Sequence, residues 1–308
     1  MTNPFGLLVM AYGTPAEMSE VEAYYTHIRH GHKPTPEQLD DLIRRYEAIG
    51  GVSPLNEITR QQAQGVEDRV NGWSNRPCKL YLGMKHTTPF IEDAVGQMAN
   101  DGIREAVTLV LAPHYSVMSV GEYQKSADEA ASRCDSLQLR HVRDWHLEPH
   151  YLNALARRVK AALAQFDDPA DVMVVFTAHS LPTRILELKD PYPSEIEETG
   201  DAVAAALNLP HHEFAWQSAG RTRDPWLGPD ILEYMRDLVG RGQRNLILCP
   251  CGFVSDHLEV LYDVDIEAME LAKSLGMKLV RTSSLNTDDE FLEGLASVVR
   301  RAAEDLSV

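Results

Sequence analysis

The strongest constraint on the fold is a rhythm in the sequence. Short apolar runs at 6–11, 79–83, 106–112, 172–178, 213–217, 245–250 and 277–281 are separated by longer amphipathic stretches. The runs are unbroken more often than alternating, which suits central parallel strands covered on both faces. Between them the spacing predicts helices. One spans 36–49, opened by Thr35 as a cap and closed at Gly50-Gly51. Thr88-Pro89 is read as the start of a helix running to 100, and Asp224-Pro225 as the start of one running to 239. Further helical patterns cover 59–70, 121–134, 148–165, 257–275 and 288–303. Strand–helix alternation over the whole length predicts the α/β class with parallel sheets.

The rhythm also repeats. Residues 6–15 (GLLVMAYGTP) resemble 173–182 (MVVFTAHSLP), and 109–115 (LVLAPHY) resemble 246–252 (LILCPCG). The pairs fall in the same order in each half, so two similar doubly wound lobes are expected, 1–145 and 146–308, meeting near 140–150. The first carries an insertion at 24–54, and the last helix, 288–304, is expected to pack back on the first lobe. In such folds ligands bind outside the carboxyl ends of the strands, so the matched loops are expected to face one interlobe cleft.

Charge narrows the function. With 29 Lys and Arg against 46 Asp and Glu, the net charge is −17. That argues against a general nucleic-acid or anionic-membrane role, both of which need a positive field. The four cysteines include no CxxC pair, so neither a disulfide framework nor a zinc or iron–sulfur motif is indicated. Without a signal-peptide pattern or a long apolar run, a cytoplasmic location is expected.

The most informative stretch is 252–267 (GFVSDHLEVLYDVDIE). Read as a helix from about Ser255, it places Glu259, Asp263 and Glu267 at i, i+4 and i+8. Each step of four turns about 40° past a full circle, so the three form one row. Hard carboxylate oxygens bind divalent ions without holding them as thiolates would. By itself the row also fits a solvated acidic face. His179, directly after a strand in Thr-Ala-His-Ser-Leu-Pro, is a base or metal-ligand candidate, or a loop histidine held by hydrogen bonds. Tyr12 has the matching place in the first lobe. It can stack on a flat ligand, ligate a metal through its phenol oxygen, or simply pack in a turn. Residues 24–54 concentrate aromatic and basic side chains, among them Arg29, Arg45 and Tyr46, and Lys85-His86 adds to them. Such a set suits a flat, carboxylate-bearing ligand or the basic side of a surface helix. His30, His32, His211 and His212 are weaker metal candidates.

Together these segments resemble the ferrochelatase family, most closely the coproporphyrin III ferrochelatases of Gram-positive bacteria. The matching text lies at 6–15, 24–34, 45–55, 81–95, 110–116, 177–182, 190–193, 216–218, 224–230 and 252–265, nearly the whole chain and in order. The resemblance implies two flavodoxin-like lobes with a porphyrin between them, and insertion of Fe²⁺ into that porphyrin in haem synthesis. Coproporphyrin III is favoured over protoporphyrin IX. It implies that His179 and Glu259 are the metal ligands and proton-abstracting pair, and that Asp263 and Glu267 form the row that guides or holds a second ion, Mg²⁺ or another divalent cation. Tyr12 is implied as the proximal ligand to product iron. Tyr12, Arg29, Arg45, Tyr46, Ser53, Lys85 and Tyr123 are implied as porphyrin-contacting residues. Fe²⁺ is then a substrate, and neither a required cofactor nor an iron–sulfur cluster is expected. Porphyrin and iron are the implied partners, with transient contacts to other haem-pathway enzymes, no nucleic acid, no integral membrane association, and a monomeric state. Ser218-Ala219-Gly220 lacks the glutamate many relatives carry there. The rival readings are a cobalt or nickel chelatase for another tetrapyrrole, and a non-catalytic haem or porphyrin carrier.

Overall fold

The computed structural model of the protein describes residues 3–220, 224–304 and 306. The outer limits of the expected lobes, residues 1 and 308, lie outside the described residues. In the first half the chain runs through β1 (Phe5–Ala11), α1 (Val21–Ile28), α2 (Pro36–Ala48), α3 (Leu55–Trp73), β2 (Cys78–Met84), α4 (Ile91–Asn100), β3 (Glu105–Val110), α5 (Val120–Ala131) and β4 (Gln138–His141). The second half continues with α6 (Pro149–Leu163), β5 (Val172–His179), α7 (Arg184–Glu187), α8 (Tyr192–Leu207), β6 (His212–Gln217), α9 (Ile231–Gly240), β7 (Asn245–Cys249), a π-helical segment (Val260–Ala268), α10 (Met269–Leu275), β8 (Lys278–Arg281) and α11 (Asp289–Glu304).

The described strands form two parallel four-stranded sheets, ordered β2-β1-β3-β4 and β6-β5-β7-β8. The orders are identical when β1 is matched with β5 and β3 with β7, which is the pairing the internal repeat predicts. Fold class and repeat are thus both as expected. All seven residues of β1 are buried, which explains why it reads as a continuous apolar run rather than an alternation.

The two sheets share one core. Phe5, Leu7 and Val9 of β1 and Val174, Phe176 and Ala178 of β5 lie in a single apolar cluster with Phe291, Leu295 and Val299 of α11. Leu8 and Met10 face the other way, onto α4 and α5, and Val175 faces α9 and α10. The last helix lies against α3 of the first half and α6 of the second. A Cβ built on Gly65 of α3 would lie 2.7 Å from Leu292 Cδ1 of α11, so a side chain there would displace the Leu292 side chain.

Several boundaries differ from expectation. The helix expected at Thr88-Pro89 begins at Ile91, where the Phe90 N–H donates to Asp93 Oδ2. The helix expected at Asp224-Pro225 begins at Ile231, because Asp230 is the residue whose side chain accepts the Leu232 N–H. The segment expected as one α-helix over 257–275 starts at Leu258 and is π-helical across Val260–Ala268.

Candidate active site

The site is assembled by the loops that leave β1, β2, β5 and β7. His179 is the last residue of β5, and its Nδ1–H donates to the Ser180 carbonyl. That bond fixes the tautomer and turns Nε2 toward the cleft. Opposite it, Gly252 lets the loop after β7 close on β5. A Cβ there would lie 2.5 Å from Ala178 Cβ and 2.9 Å from Ala178 Cα, so only glycine fits the approach. The loop then returns as a helix whose first turn carries Glu259.

Glu259 sits between two imidazoles. His179 Nε2 lies 3.6 Å from Oε1, and His257 Nε2 lies 3.5 Å from Oε2. His257 is anchored like His179, its Nδ1–H donating to the Ser255 carbonyl at 3.0 Å. Burial alone would raise the Glu259 carboxyl, but the two imidazoles outweigh it and hold it well below the usual carboxylate range. Burial would lower His179, but the Glu259 charge outweighs it and raises the imidazole to about 8. Two basic atoms facing each other across a few ångströms need a cation between them. At neutral pH that cation is a proton, and a divalent ion can replace it. His257 was not singled out by sequence reasoning, although it stands two residues before Glu259.

The carboxylate row is bent by the π-helix, whose turn is longer than four residues. Asp263 is 8 % exposed. Its Oδ1 accepts from Arg45 at 3.1 Å and its Oδ2 accepts from the Ser218 hydroxyl. Burial, then the charge of Glu259, pushes its carboxyl up to about 6 against the pull of Ser218 and Arg45, and Glu267 adds to the rise. The row is therefore electrostatically coupled, but both Asp263 oxygens are already engaged.

Tyr12 opens the loop after β1 with 41 % of its surface exposed, its ring 4.5 Å from that of His86. Although the ring is partly open, desolvation of the phenol, followed by the charge of Glu259, raises it far above the usual value, so the free phenol stays protonated. The His27 and His86 Nδ1 atoms are 3.0 Å apart, and burial together with Lys85 pushes His86 down to about 3, keeping it neutral.

The remaining predicted residues separate into two groups. Arg29, Arg45 and Lys85 keep partly open cationic heads at the lip. Arg29 lies over Tyr25, Arg45 stacks on Tyr262 with its guanidinium carbon 4.7 Å from the ring centroid, and Lys85 pairs with Glu122 above Tyr123. Tyr46, Ser53 and Tyr123 are buried, at 1 %, 6 % and 7 % exposure. Tyr46 bonds through its hydroxyl to Thr14 at 3.1 Å, and the Ser53 hydroxyl accepts the Leu55 N–H at the start of α3. His212 pairs with Asp201 at the surface, while His30 and His32 are exposed. Cys249 and Cys251 are buried free thiols.

The loops that leave the strands also carry exposed apolar side chains, Val117 after β3 and Leu186 and Leu188 after β5. An open apolar rim with cationic heads at its lip and a histidine–carboxylate pair at its floor suits a flat, partly apolar, anionic ligand.

The profile of the ferrochelatase family matches residues 4–303. Coproporphyrin III ferrochelatase of Halalkalibacterium halodurans is 46 % identical over 298 residues, covering 96 % of both chains. Coproporphyrin III ferrochelatase of Listeria monocytogenes serotype 4b is 46 % identical over 303 residues, covering 97 % of this chain and 98 % of that one. Among solved structures, the sirohydrochlorin chelatase of Bacillus subtilis subspecies spizizenii in complex with cobalt superposes with a TM-score of 0.63 at 11 % identity, covering 98 % of this chain and 96 % of that one. That likeness concerns the fold. On the family match and these relatives, the chain belongs to the ferrochelatase family.

Proposed function

We propose that this chain inserts Fe²⁺ into a porphyrin as a step of haem synthesis, with coproporphyrin III as the preferred macrocycle. The observation that carries the reading is the His179–Glu259 pair, Nε2 to Oε1 at 3.6 Å on the cleft floor. A porphyrin loses two pyrrole protons as the metal enters, so a proton acceptor must stand at the ring centre. His179, its Nδ1 committed to Ser180, offers Nε2 as that acceptor, and Glu259 stabilises the imidazolium that forms. His257 on the other side keeps Glu259 ionised and aimed.

Tyr12 stands on the first-lobe side and is proposed to face the opposite side of the ring, as proximal ligand to product iron. Arg29, Arg45 and Lys85 at the lip are the proposed contacts for propionate carboxylates, which guanidinium groups bind in bidentate fashion. Tyr123 lies beneath Lys85, while the buried Tyr46 and Ser53 bond to Thr14 and to the start of α3. Asp263 and Glu267 are proposed to pass an incoming ion toward Glu259.

The test is an anaerobic assay of the purified chain with Fe²⁺ or Co²⁺ against coproporphyrin III, protoporphyrin IX and a more reduced tetrapyrrole, followed by absorbance. Fastest turnover with Fe²⁺ and coproporphyrin III is expected. Faster turnover with Co²⁺ on a more reduced tetrapyrrole would move the reading to another chelatase. Stoichiometric porphyrin binding without metal insertion would make the chain a carrier.

A further inference from the structure

A second cluster of titratable groups lies away from the cleft floor, where the loop between β4 and α6 meets α8. His146 is 7 % exposed, and its Nε2–H donates to Glu198 Oε2 at 2.9 Å. The proton on Nε2 leaves Nδ1 as the lone-pair atom. Nδ1 is buried and makes no hydrogen bond. It points at Asp144 Oδ1, 3.4 Å away, and at Glu195 Oε2, 3.6 Å away. A ligand atom from each of these three residues lies within 4.8 Å of the others.

From this convergence we propose that Asp144, His146 and Glu195 form a binding site for a divalent transition cation, distinct from the iron-insertion site. The outer parts of such a site are in place. A metal-bound histidine commonly donates its other N–H to a carboxylate, which fixes ring and tautomer, and Glu198 does this for His146. Glu195 is 5 % exposed and oriented by the Tyr115 N–H, which donates to Oε2 at 2.6 Å. Arg143 contacts the outward oxygens, Asp144 Oδ2 at 2.6 Å and Glu195 Oε1 at 3.3 Å, and leaves the inward oxygens facing Nδ1. Its guanidinium is stacked on Tyr115 at 4.2 Å and offsets part of the carboxylate charge. Asp144 is partly open, giving an ion a way in. One imidazole and two carboxylates suit Zn²⁺, Co²⁺ or Mn²⁺ better than a soft ion such as Cu⁺. Because Asp144 and His146 follow the first sheet while Glu195 and Glu198 sit on a helix of the second half, a bound ion ties the two halves together.

The test uses the full-length His179→Ala protein, so that binding at the iron-insertion site does not obscure the result. Titration with Co²⁺, read by calorimetry and by the visible absorption of the bound ion, is expected to show one ion per chain with a histidine-containing coordination spectrum. Adding His146→Ala or Glu195→Gln should abolish that signal. Adding Glu198→Gln should weaken binding about ten- to a hundredfold, the usual cost of losing such an outer partner. Circular dichroism checks that each variant folds, and Glu195→Gln serves if His146→Ala does not. No binding in the His179→Ala protein, or binding unchanged by Glu195→Gln, overturns the proposal. So does an NMR spectrum showing a proton on His146 Nδ1 in the presence of Zn²⁺. Iron insertion is not the readout, so failure of the proposed function and failure of this site are told apart.

Discussion

Arg45 and Asp263, 218 residues apart in sequence, meet through Arg45 Nη1 and Asp263 Oδ1 at 3.1 Å, joining the first-lobe insertion to the carboxylate row of the second lobe. Arg45 also lies 3.3 Å from Asp41. Asp263 titrates near 6 when folded, above its ordinary value. The folded state therefore holds the proton more tightly, and stability falls as pH rises from about 4 through about 6.

Asp263→Asn removes the ionisable group, so the fall in stability between about pH 4 and 6 should flatten in denaturant titrations at a series of pH values. The net change near neutral pH should stay within about 2 kcal/mol, because the cost of burying the charge is removed and Arg45 keeps Asp41 as a partner. Arg45→Met leaves the carboxylate without its cation and should move the transition to higher pH. An unchanged slope in Asp263→Asn would show that another group carries it.

His179 titrates near 8 because burial is outweighed by the Glu259 charge and hydrogen bond, with smaller contributions from the Ser180 bond and Asp263. Acceptance of a pyrrole proton requires the free imidazole, so kcat/KM for metal insertion should rise with pH through about 8. Glu259→Gln removes the opposing charge, and the limb should shift below the ordinary histidine value as turnover drops about a hundredfold or more. His179→Ala should abolish insertion while porphyrin binding, followed by fluorescence, persists. Glu259→Gln should slow turnover more than Asp263→Asn does, and the reverse order would contradict the assigned roles.

Gly252 sets the distance between the loop after β7 and the end of β5. Gly252→Ala forces a methyl against the Ala178 backbone, at a cost of about 1–3 kcal/mol. The larger effect should be on turnover, because the same displacement carries Glu259 away from His179. Thermal melting and insertion rate measured together test this. A full rate with a lowered melting temperature would separate the loop from the chemistry.

Tyr46 stands among the expected porphyrin contacts but is 1 % exposed and bonded to Thr14. Tyr46→Phe should cost about 1 kcal/mol, one buried hydrogen bond. Tyr46→Ala should cost about 3–5 kcal/mol, as for other large buried rings. Porphyrin affinity in Tyr46→Phe should stay within a few-fold of wild type. A large loss of affinity with little loss of stability would return Tyr46 to the ligand surface.

The inner strands β1, β3, β5 and β7 were legible because burial on both faces forces an unbroken apolar run, and the edge strands β2, β6 and β8 were legible from their apolar residues alone. β4 was not legible, because an edge strand reading Gln-Leu-Arg-His buries only part of each side chain. α8 was also missed. It opens on Tyr192-Pro193 and pairs its buried apolar residues with a buried Glu195, which weakens the helical pattern. His179, Glu259 and Tyr12 stood out because they follow strands in matched loops. His257 did not, since its role depends on a backbone carbonyl and a carboxylate that only the folded loop brings to it. The π-helix was invisible, because the i, i+4 spacing of the acidic row reads as ordinary α-helix.

Helix α11 lies against α3 and α6 at once and contributes Phe291, Leu295 and Val299 to the core beneath both sheets. A clamshell swing of one half against the other would tear that helix from one of its seats. The halves should therefore melt together in one cooperative transition rather than in succession.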